Sequence, residues 1–120
     1  MTQSRFMKLC EAVREYVREV STDEIAGRLE RVDALVLIDV REESEVALGR
    51  IKGAHAIGRG ILERTVEQLF PDTATEIVLY CAGGSRSLLA GESLQRMGYT
   101  NVSSMAGGWR EWTAKKLPVE

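Results

Sequence analysis

Residues 77–87 read IVLYCAGGSRS, and this stretch predicts the fold of the chain around it. The run Ile77–Tyr80 is apolar throughout, without the alternation of a strand that has one solvated face. It therefore predicts a strand covered on both sides. Cys81 follows directly, and two glycines then lead into a helical pattern over about residues 86–97, which ends at Gly98. A buried strand that enters a helix through a short glycine loop is typical of an α/β fold.

A second buried strand and several helices surround this unit. Leu35–Ile38 is another continuous apolar run, and it ends at Asp39. We also expect a short strand near residues 101–104 and helices over about 4–17, from Ser21 (a capping box with Glu24), over about 60–69 and from about Trp109. This alternation predicts an α/β fold with a mostly parallel sheet and helices on both faces. Ligand sites in such sheets lie at the carboxyl ends of the strands, where Asp39 and Cys81 fall.

Composition and charge exclude several classes of protein. The chain has 120 residues, 44% of them hydrophobic and 28% charged, which is typical of one globular domain. A net charge of -2 argues against a non-specific nucleic-acid binder. No apolar run approaches the ~18 residues of a membrane helix, so we expect no membrane partner. The segment Met1–Lys8 lacks the pattern of a signal peptide, and we therefore expect a cytoplasmic location.

The cysteines and the histidine narrow the chemistry further. Only Cys10, Cys81 and His55 are available as soft ligands, fewer than the four of a structural zinc site, so we expect no metal and no other cofactor. Cys10 lies on the apolar stripe of the first helix, which favours a buried small side chain over a second sulfur carrier. His55 raises the alternative of a Cys–His hydrolase, but the loop after Cys81 is suited to an anion rather than to an acyl group.

The loop from Cys81 to the following helix has the parts of an anion-binding site. Glycines let successive N–H groups point inward as a nest, and the helix start adds unpaired N–H groups and the positive end of its dipole. Arg86 adds a permanent charge. Such a setting favours the thiolate of a cysteine and holds an anionic substrate above it. The candidate substrate-binding residues are Ala82, Gly83, Gly84, Ser85, Arg86 and Ser87, with Cys81 as the nucleophile. The alternative is an ordinary strand–helix turn with a buried cysteine.

Four short motifs in order resemble those of the single-domain rhodanese family. The loop fits Cys-x-x-Gly-x-Arg-Ser, residues 39–41 fit Asp-Val-Arg, residues 49–54 are similar to Gly-His-Ile-Pro-Gly-Ala, and residues 107–112 resemble the closing Gly-Gly-x-x-x-Trp. Arg50, Lys52 and Gly58 depart from the usual residues. The resemblance implies a rhodanese-like domain over residues 20–120 with a sheet of about five strands. Residues 1–19 are then a helical extension packed on the domain.

The resemblance implies a sulfurtransferase that works through a persulfide on Cys81. A small anionic donor such as thiosulfate would give a sulfane sulfur, and cyanide in an assay, a cellular thiol or a protein acceptor would take it. Sulfurtransferases of this family have four residues between the cysteine and the arginine, as here, whereas related phosphatases have five. A sulfur carrier or protein-binding module with little small-donor turnover is one alternative. A phosphatase or arsenate reductase is another, disfavoured by the shorter loop.

Four further residues are candidates around the loop. We expect Asp39 and Arg41 to pair and fix the turn after their strand, and a direct role in binding substrate is the alternative. Glu45 can pair with Arg41 at i, i+4 or support Arg86. The resemblance places Arg59 beside the bowl formed by the loop from Cys81 to Arg86. There it would draw in anionic donors, and the alternative is an arginine exposed to solvent with no role in binding. The sequence leaves the oligomeric state open.

Overall fold

The computed structural model of the chain describes residues 3–120. Its elements are α1 (Arg5–Arg14), β1 (Arg18–Val20), α2 (Thr22–Glu30), β2 (Val36–Asp39), α3 (Glu43–Val46), β3 (His55–Ala56), a 3-10 turn (Arg59–Ile61), α4 (Leu62–Leu69), β4 (Ile77–Tyr80), α5 (Ser85–Arg96), β5 (Val102–Met105) and α6 (Gly108–Ala114). The five strands form one parallel sheet in the order β1-β5-β4-β2-β3. This confirms the predicted α/β class. No helix within residues 3–120 has the length and apolar character to cross a membrane.

The central strands bury side chains on both faces, as their unbroken apolar runs predict. On one face, α2 and α6 cover a cluster that contains Ile25, Leu37, Val78, Tyr80, Met105 and Trp112. On the other face, α4 and α5 cover Ile38, Leu62, Val66, Ile77, Leu79 and Leu94. Each large apolar side chain buried in this way stabilises the fold by roughly 1.5–3 kcal/mol. Helices therefore pack on both faces, and β4 is fixed at the centre of the sheet.

The first helix packs on the outside of α5 rather than on the sheet. Cys10, Val13 and Val17 form a small buried cluster with Leu88. The helix ends at Arg14, earlier than the predicted residue 17, because the chain must turn there to enter the sheet as edge strand β1. β1 begins at Arg18, so the sheet includes two residues that the sequence assigns to the extension. Residues 1 and 2 of that extension lie outside the described part of the chain.

Three short elements have no signal in the sequence pattern. β1, α3 and β3 contain three, four and two residues, too few for a periodicity to register. β3 is exposed at both residues and exists only because it pairs with β2, with His55 opposite Ile38. The longer elements have the predicted type, and α5 ends as predicted, with Gly98 at a φ of +103° just after the helix.

Candidate active site

The loop between β4 and α5 wraps around the sulfur of Cys81. The backbone N–H of Gly84 donates a hydrogen bond of 3.1 Å to Cys81 Sγ. Gly84 has a φ of +104° and directly precedes α5, a conformation that L side chains rarely adopt. This left-handed turn is what points the amide back at the sulfur. The thiol thus lies at the start of a twelve-residue helix, where unpaired N–H groups favour an anion.

Two serines continue the contacts of the sulfur into the sheet. Ser87 Oγ lies 3.5 Å from Cys81 Sγ and 2.7 Å from the Oγ of Ser104 on β5. The carbonyl oxygen of Gly84 lies 3.2 Å from Ser87 Oγ and is a second acceptor for the one hydroxyl hydrogen of Ser87. Both serines are fully buried, so their hydroxyl groups are positioned by each other rather than by water.

Opposing effects set the pKa of Cys81. Burial of the thiol, which is 1% exposed, would by itself raise the pKa because it penalises the charged form. Hydrogen bonds from the Ser87 hydroxyl and from the backbone N–H groups of Ser87, Gly84 and Gly83 act in the other direction. Together they outweigh burial and hold the pKa of Cys81 below that of a free thiol. The site therefore favours a thiolate, which is the nucleophilic form.

Arg86 extends from the first turn of α5 to Glu45 on α3. Its two terminal nitrogens donate to the two carboxylate oxygens at 2.8 and 3.0 Å. These hydrogen bonds lower the pKa of Glu45 to about 2, so the carboxylate is charged at neutral pH. Of the two partners that the sequence left open for Glu45, the structure selects Arg86. Much of the charge of Arg86 is consequently balanced within the protein.

Asp39 and Arg41 form a buried pair at the end of β2. Arg41 donates to both oxygens of Asp39, with a shortest distance of 2.7 Å, and to the carbonyl of Gly49 at 2.7 Å. Its guanidinium also lies 4.5 Å from the ring centroid of Trp109. The pair therefore ties the turn after β2 to the loop before β3 and to α6.

The last helix begins directly against the active-site loop. The N–H groups of Trp109 and Arg110 donate to the carbonyls of Cys81 and Ala82 at 2.8 and 3.0 Å. A Cβ on Gly108 would lie 2.9 Å from the Ala82 oxygen and closer still to that of Cys81. Only glycine permits this approach, which satisfies two carbonyls that the loop leaves unpaired.

Comparison with known proteins identifies the family. A family model described as the rhodanese-like domain matches residues 21–115. The chain belongs to the rhodanese-like domain family. It is 28% identical over 103 residues to a sulfurtransferase of Allochromatium vinosum, covering 86% of this chain and 94% of that protein. It is 31% identical over 91 residues to the thiosulfate:glutathione sulfurtransferase of Saccharomyces cerevisiae, covering 67% and 66%.

A solved structure with the same rhodanese architecture carries a different description. It is a Rhodopseudomonas palustris protein of unknown function described as a possible tyrosine phosphatase. Its TM-score to this chain is 0.86 at 26% identity, with 100% of this chain and 99% of that chain covered. Its description differs from those of the two relatives, so the architecture alone does not choose the activity. The named relatives support rhodanese-type sulfur transfer as the activity class.

The rhodanese loop gathers most of the predicted site residues but not all. Arg59 bonds Glu63 at 2.8 Å, and Glu63 accepts from Ser93, about two turns along α5 from the loop. The guanidinium of Arg59 is therefore held near Ser93 on α5 rather than at the loop. Its role in drawing anionic donors inward stays a prediction. The ring of His55 packs edge-on against Phe70, with 5.2 Å between centroids.

Cys10 lies behind the loop as a small buried side chain. Its thiol is fully buried and donates to the carbonyl of Ser85 at 3.9 Å. Burial raises the pKa of Cys10, so at neutral pH it is a neutral thiol. The two cysteines of this chain thus lie in environments that push their pKa values in opposite directions.

Sequence reasoning missed Ser104 and Arg110 around the rhodanese loop. Ser104 touches Ser87 only because β5 lies beside β4, with Leu79 opposite Ser104 in the register. The available signal was the pair of serines, Ser103 and Ser104, in the short strand predicted near residues 101–104. Nothing in the local pattern places Arg110 at the loop, because that contact depends on how α6 packs.

Proposed function

We propose that this domain moves a sulfane sulfur from a small anionic donor such as thiosulfate to a thiol acceptor, through a persulfide on Cys81. The observation that carries the proposal is the Cys81 sulfur held by the Gly84 amide and the Ser87 hydroxyl, at the start of α5, with a lowered pKa. Hydrogen-bond donors placed in this way favour the thiolate, which is the form that attacks. The same donors would hold the terminal sulfur of a persulfide anion.

In the first step, the Cys81 thiolate attacks the outer sulfur of thiosulfate. A new S–S bond forms to Cys81, the S–S bond of thiosulfate breaks, and sulfite leaves with the electron pair. Charge and atoms balance without a proton transfer, and sulfite is stable, so no general acid is required. Cys81 is only 1% exposed, which suits a donor whose reacting end is a single sulfur atom.

In the second step, a nucleophilic acceptor attacks the terminal sulfur of the persulfide. With a thiolate, the products are the free Cys81 thiolate and a small-molecule persulfide; with cyanide, the second product is thiocyanate. Covalent catalysis of this kind divides one transfer into two easier steps. The yeast relative named as a thiosulfate:glutathione sulfurtransferase supports thiosulfate as donor and a glutathione-like thiol as acceptor.

The loop residues then have defined roles. Ala82, Gly83, Gly84 and Ser85 supply the wall of the bowl, Ser87 donates to the sulfur, and Arg86 orders the helix start through Glu45 while adding positive potential. Asp39 and Arg41 support the neighbouring turn. A cytoplasmic location stays a prediction of the sequence.

Intact mass after incubation with thiosulfate tests the proposal. We expect the parent protein to gain one sulfur atom, which added thiol or cyanide removes. Cys81→Ser should gain none, and the matched variant Cys10→Ser should behave as the parent. Sulfur gain that survives in Cys81→Ser, or no gain in the parent, overturns the assignment.

Turnover separates the enzyme from its alternatives. Continuous thiocyanate formation from thiosulfate and cyanide supports an enzyme, whereas a persulfide that forms once and turns over feebly supports a sulfur carrier. Hydrolysis of an aryl phosphate without sulfur gain would instead favour a phosphatase, the activity named for the Rhodopseudomonas palustris neighbour. Reduction of arsenate without sulfur gain would favour an arsenate reductase.

A further inference from the structure

The two arginines that the sequence assigns to substrate binding are already paired with carboxylates. Arg86 is held by both oxygens of Glu45, and Arg59 is held by Glu63. In such a pair the carboxylate neutralises much of the charge of the guanidinium, and several of its N–H donors are already hydrogen-bonded within the protein. A third arginine, Arg110, is different.

Arg110 lies against the loop, and its main chain fixes it there. Its N–H donates to the carbonyl of Ala82 at 3.0 Å, one residue after the Trp109 N–H bonds Cys81. Its guanidinium lies over Gly83, since a Cβ built there would be 3.0 Å from Arg110 Nη1. The next residue, Gly84, donates its backbone N–H to the Cys81 sulfur at 3.1 Å. The Arg110 charge is thus within about 10 Å of that sulfur, given the bond lengths between them.

The guanidinium of Arg110 has no carboxylate and no hydrogen-bond acceptor among residues 3–120. The adjacent acid, Glu111, is paired with Lys115 at 3.0 Å. Arg110 is exposed, so its long side chain is able to rotate over the rim of the bowl. A free, permanently charged fork beside an anion-binding loop is suited to a sulfonate or a carboxylate.

We propose that Arg110 binds the anionic group of the small molecule that reacts at Cys81, and thereby sets the preference of the site for anionic substrates. The identity of the substrate in this inference rests on the proposed function. The first test of the inference, alkylation of Cys81, does not depend on that function. The anionic group is the sulfonate of a thiosulfate-like donor or the carboxylate of a glutathione-like acceptor. Both present the same chemistry to the guanidinium.

Alkylation of Cys81 tests the charge effect without any sulfur transfer. Iodoacetate and iodoacetamide have nearly the same shape and differ in charge, so the ratio of their rate constants at Cys81 reports the local anion preference. A change in the pKa of Cys81 or in the loop affects both reagents and cancels in the ratio. We expect Arg110→Ala to lower the iodoacetate-to-iodoacetamide ratio about tenfold, since a charge-assisted hydrogen bond is lost. Arg110→Lys should retain part of it.

Arg64→Ala is the matched control. Arg64 is also exposed, and it borders Met97 at the far end of α5, so removing its charge should leave the ratio unchanged. A ratio equal to that of the parent in Arg110→Ala, or an equal drop in Arg64→Ala, overturns the inference. A protein that alkylates with the expected ratio but forms no persulfide would instead overturn the proposed function alone.

Steady-state kinetics then distinguish the two sources of the anionic group. With thiosulfate and the neutral acceptor dithiothreitol, a tenfold rise in the KM for thiosulfate in Arg110→Ala assigns the guanidinium to the donor. An unchanged KM for thiosulfate, with a rise in KM for glutathione but not for dithiothreitol, assigns it to the acceptor. No change in any of the three constants overturns the inference.

Discussion

The guanidinium of Arg86 and the carboxylate of Glu45 face each other through two hydrogen bonds of 2.8 and 3.0 Å. This contact joins the helix that follows Cys81 to the short helix that follows the neighbouring strand. The active-site loop is therefore braced from a second strand end, and the order of its amides depends on a charge pair that is about one third exposed on each side.

The Arg86–Glu45 pair predicts a pH-dependent contribution to stability. Its hydrogen bonds lower the pKa of Glu45 from 4.5 to about 2, so the contribution is full above pH 4.5 and is lost as the pH falls towards 2. After allowance for solvent screening, we expect Glu45→Gln to lower the free energy of unfolding by about 1 kcal/mol at pH 7. Gln retains the shape and is able to accept from the Glu42 amide as Glu45 does.

Urea unfolding at pH 7 and at pH 2.5 checks this prediction. The difference between Glu45→Gln and the parent should shrink at the lower pH. Glu43→Gln, on the same helix with an exposed side chain, is the control and should differ little from the parent at either pH. A difference that grows on acidification would contradict the sign of the linkage.

Breaking the buried Asp39–Arg41 pair should lower the free energy of unfolding more than breaking an exposed ion pair does. Asp39 is fully buried and Arg41 is 3% exposed, so neutralising the acid leaves a buried cation without its partner. We expect Asp39→Asn to lower the free energy of unfolding by about 3 kcal/mol. Asp23→Asn removes an exposed pair with Lys115 and should cost less than about 1 kcal/mol. Equal costs in chemical denaturation would show that burial of the pair is not what matters.

The contact between the Ser87 hydroxyl and the Cys81 sulfur should set the pH at which Cys81 becomes reactive. Its hydroxyl and amide lower the pKa of Cys81 against burial, so losing the hydroxyl should raise the pKa. We expect Ser87→Ala to shift the midpoint of iodoacetamide reactivity to higher pH and to slow alkylation several-fold at pH 7. Ser93→Ala makes the same change about two turns along α5 and should leave the midpoint in place. A Ser87→Ala profile that overlays the parent would remove the hydroxyl from thiolate stabilisation.

Gly108 predicts a steric limit on the contact between α6 and the loop. Any side chain there meets the carbonyls of Cys81 and Ala82, and its φ of +52° adds backbone strain. We expect Gly108→Ala to lower the free energy of unfolding by about 2 kcal/mol or more and to impair persulfide formation. A Cβ on Gly60 meets nothing within 4 Å, so Gly60→Ala is the control. Parent-like stability in Gly108→Ala would mean that α6 is able to shift away at little cost.

The two cysteines predict selective labelling. Cys10 is fully buried with a raised pKa, whereas the pKa of Cys81 is lowered. Limited iodoacetamide treatment at pH 7 should therefore modify Cys81 at least about tenfold faster than Cys10, as peptide mass mapping would measure. Faster labelling of Cys10 would contradict this order.

The sequence by itself determined the fold class of this protein and the local setting of Cys81, the proposed nucleophile. Unbroken apolar runs at residues 35–38 and 77–80 can only be buried between two layers, and a cysteine, two glycines and a helix start are contiguous in the chain. Local features of this kind need no knowledge of distant residues. The partner of Glu45 was open, because Arg41 satisfied the local i, i+4 spacing whereas Arg86, far along the chain, could reach Glu45 only through the tertiary fold.

Only the tertiary structure decided which groups surround the sulfur from other elements. Ser104 reaches Ser87 because β5 pairs with β4, and Arg110 reaches the loop because α6 starts against the carbonyls of Cys81 and Ala82. It also placed Ser93 of α5 against Glu63, the residue that holds Arg59. Contacts between residues far apart in sequence depend on strand order and helix packing. Those are set by the burial of the whole core rather than by any short stretch of it.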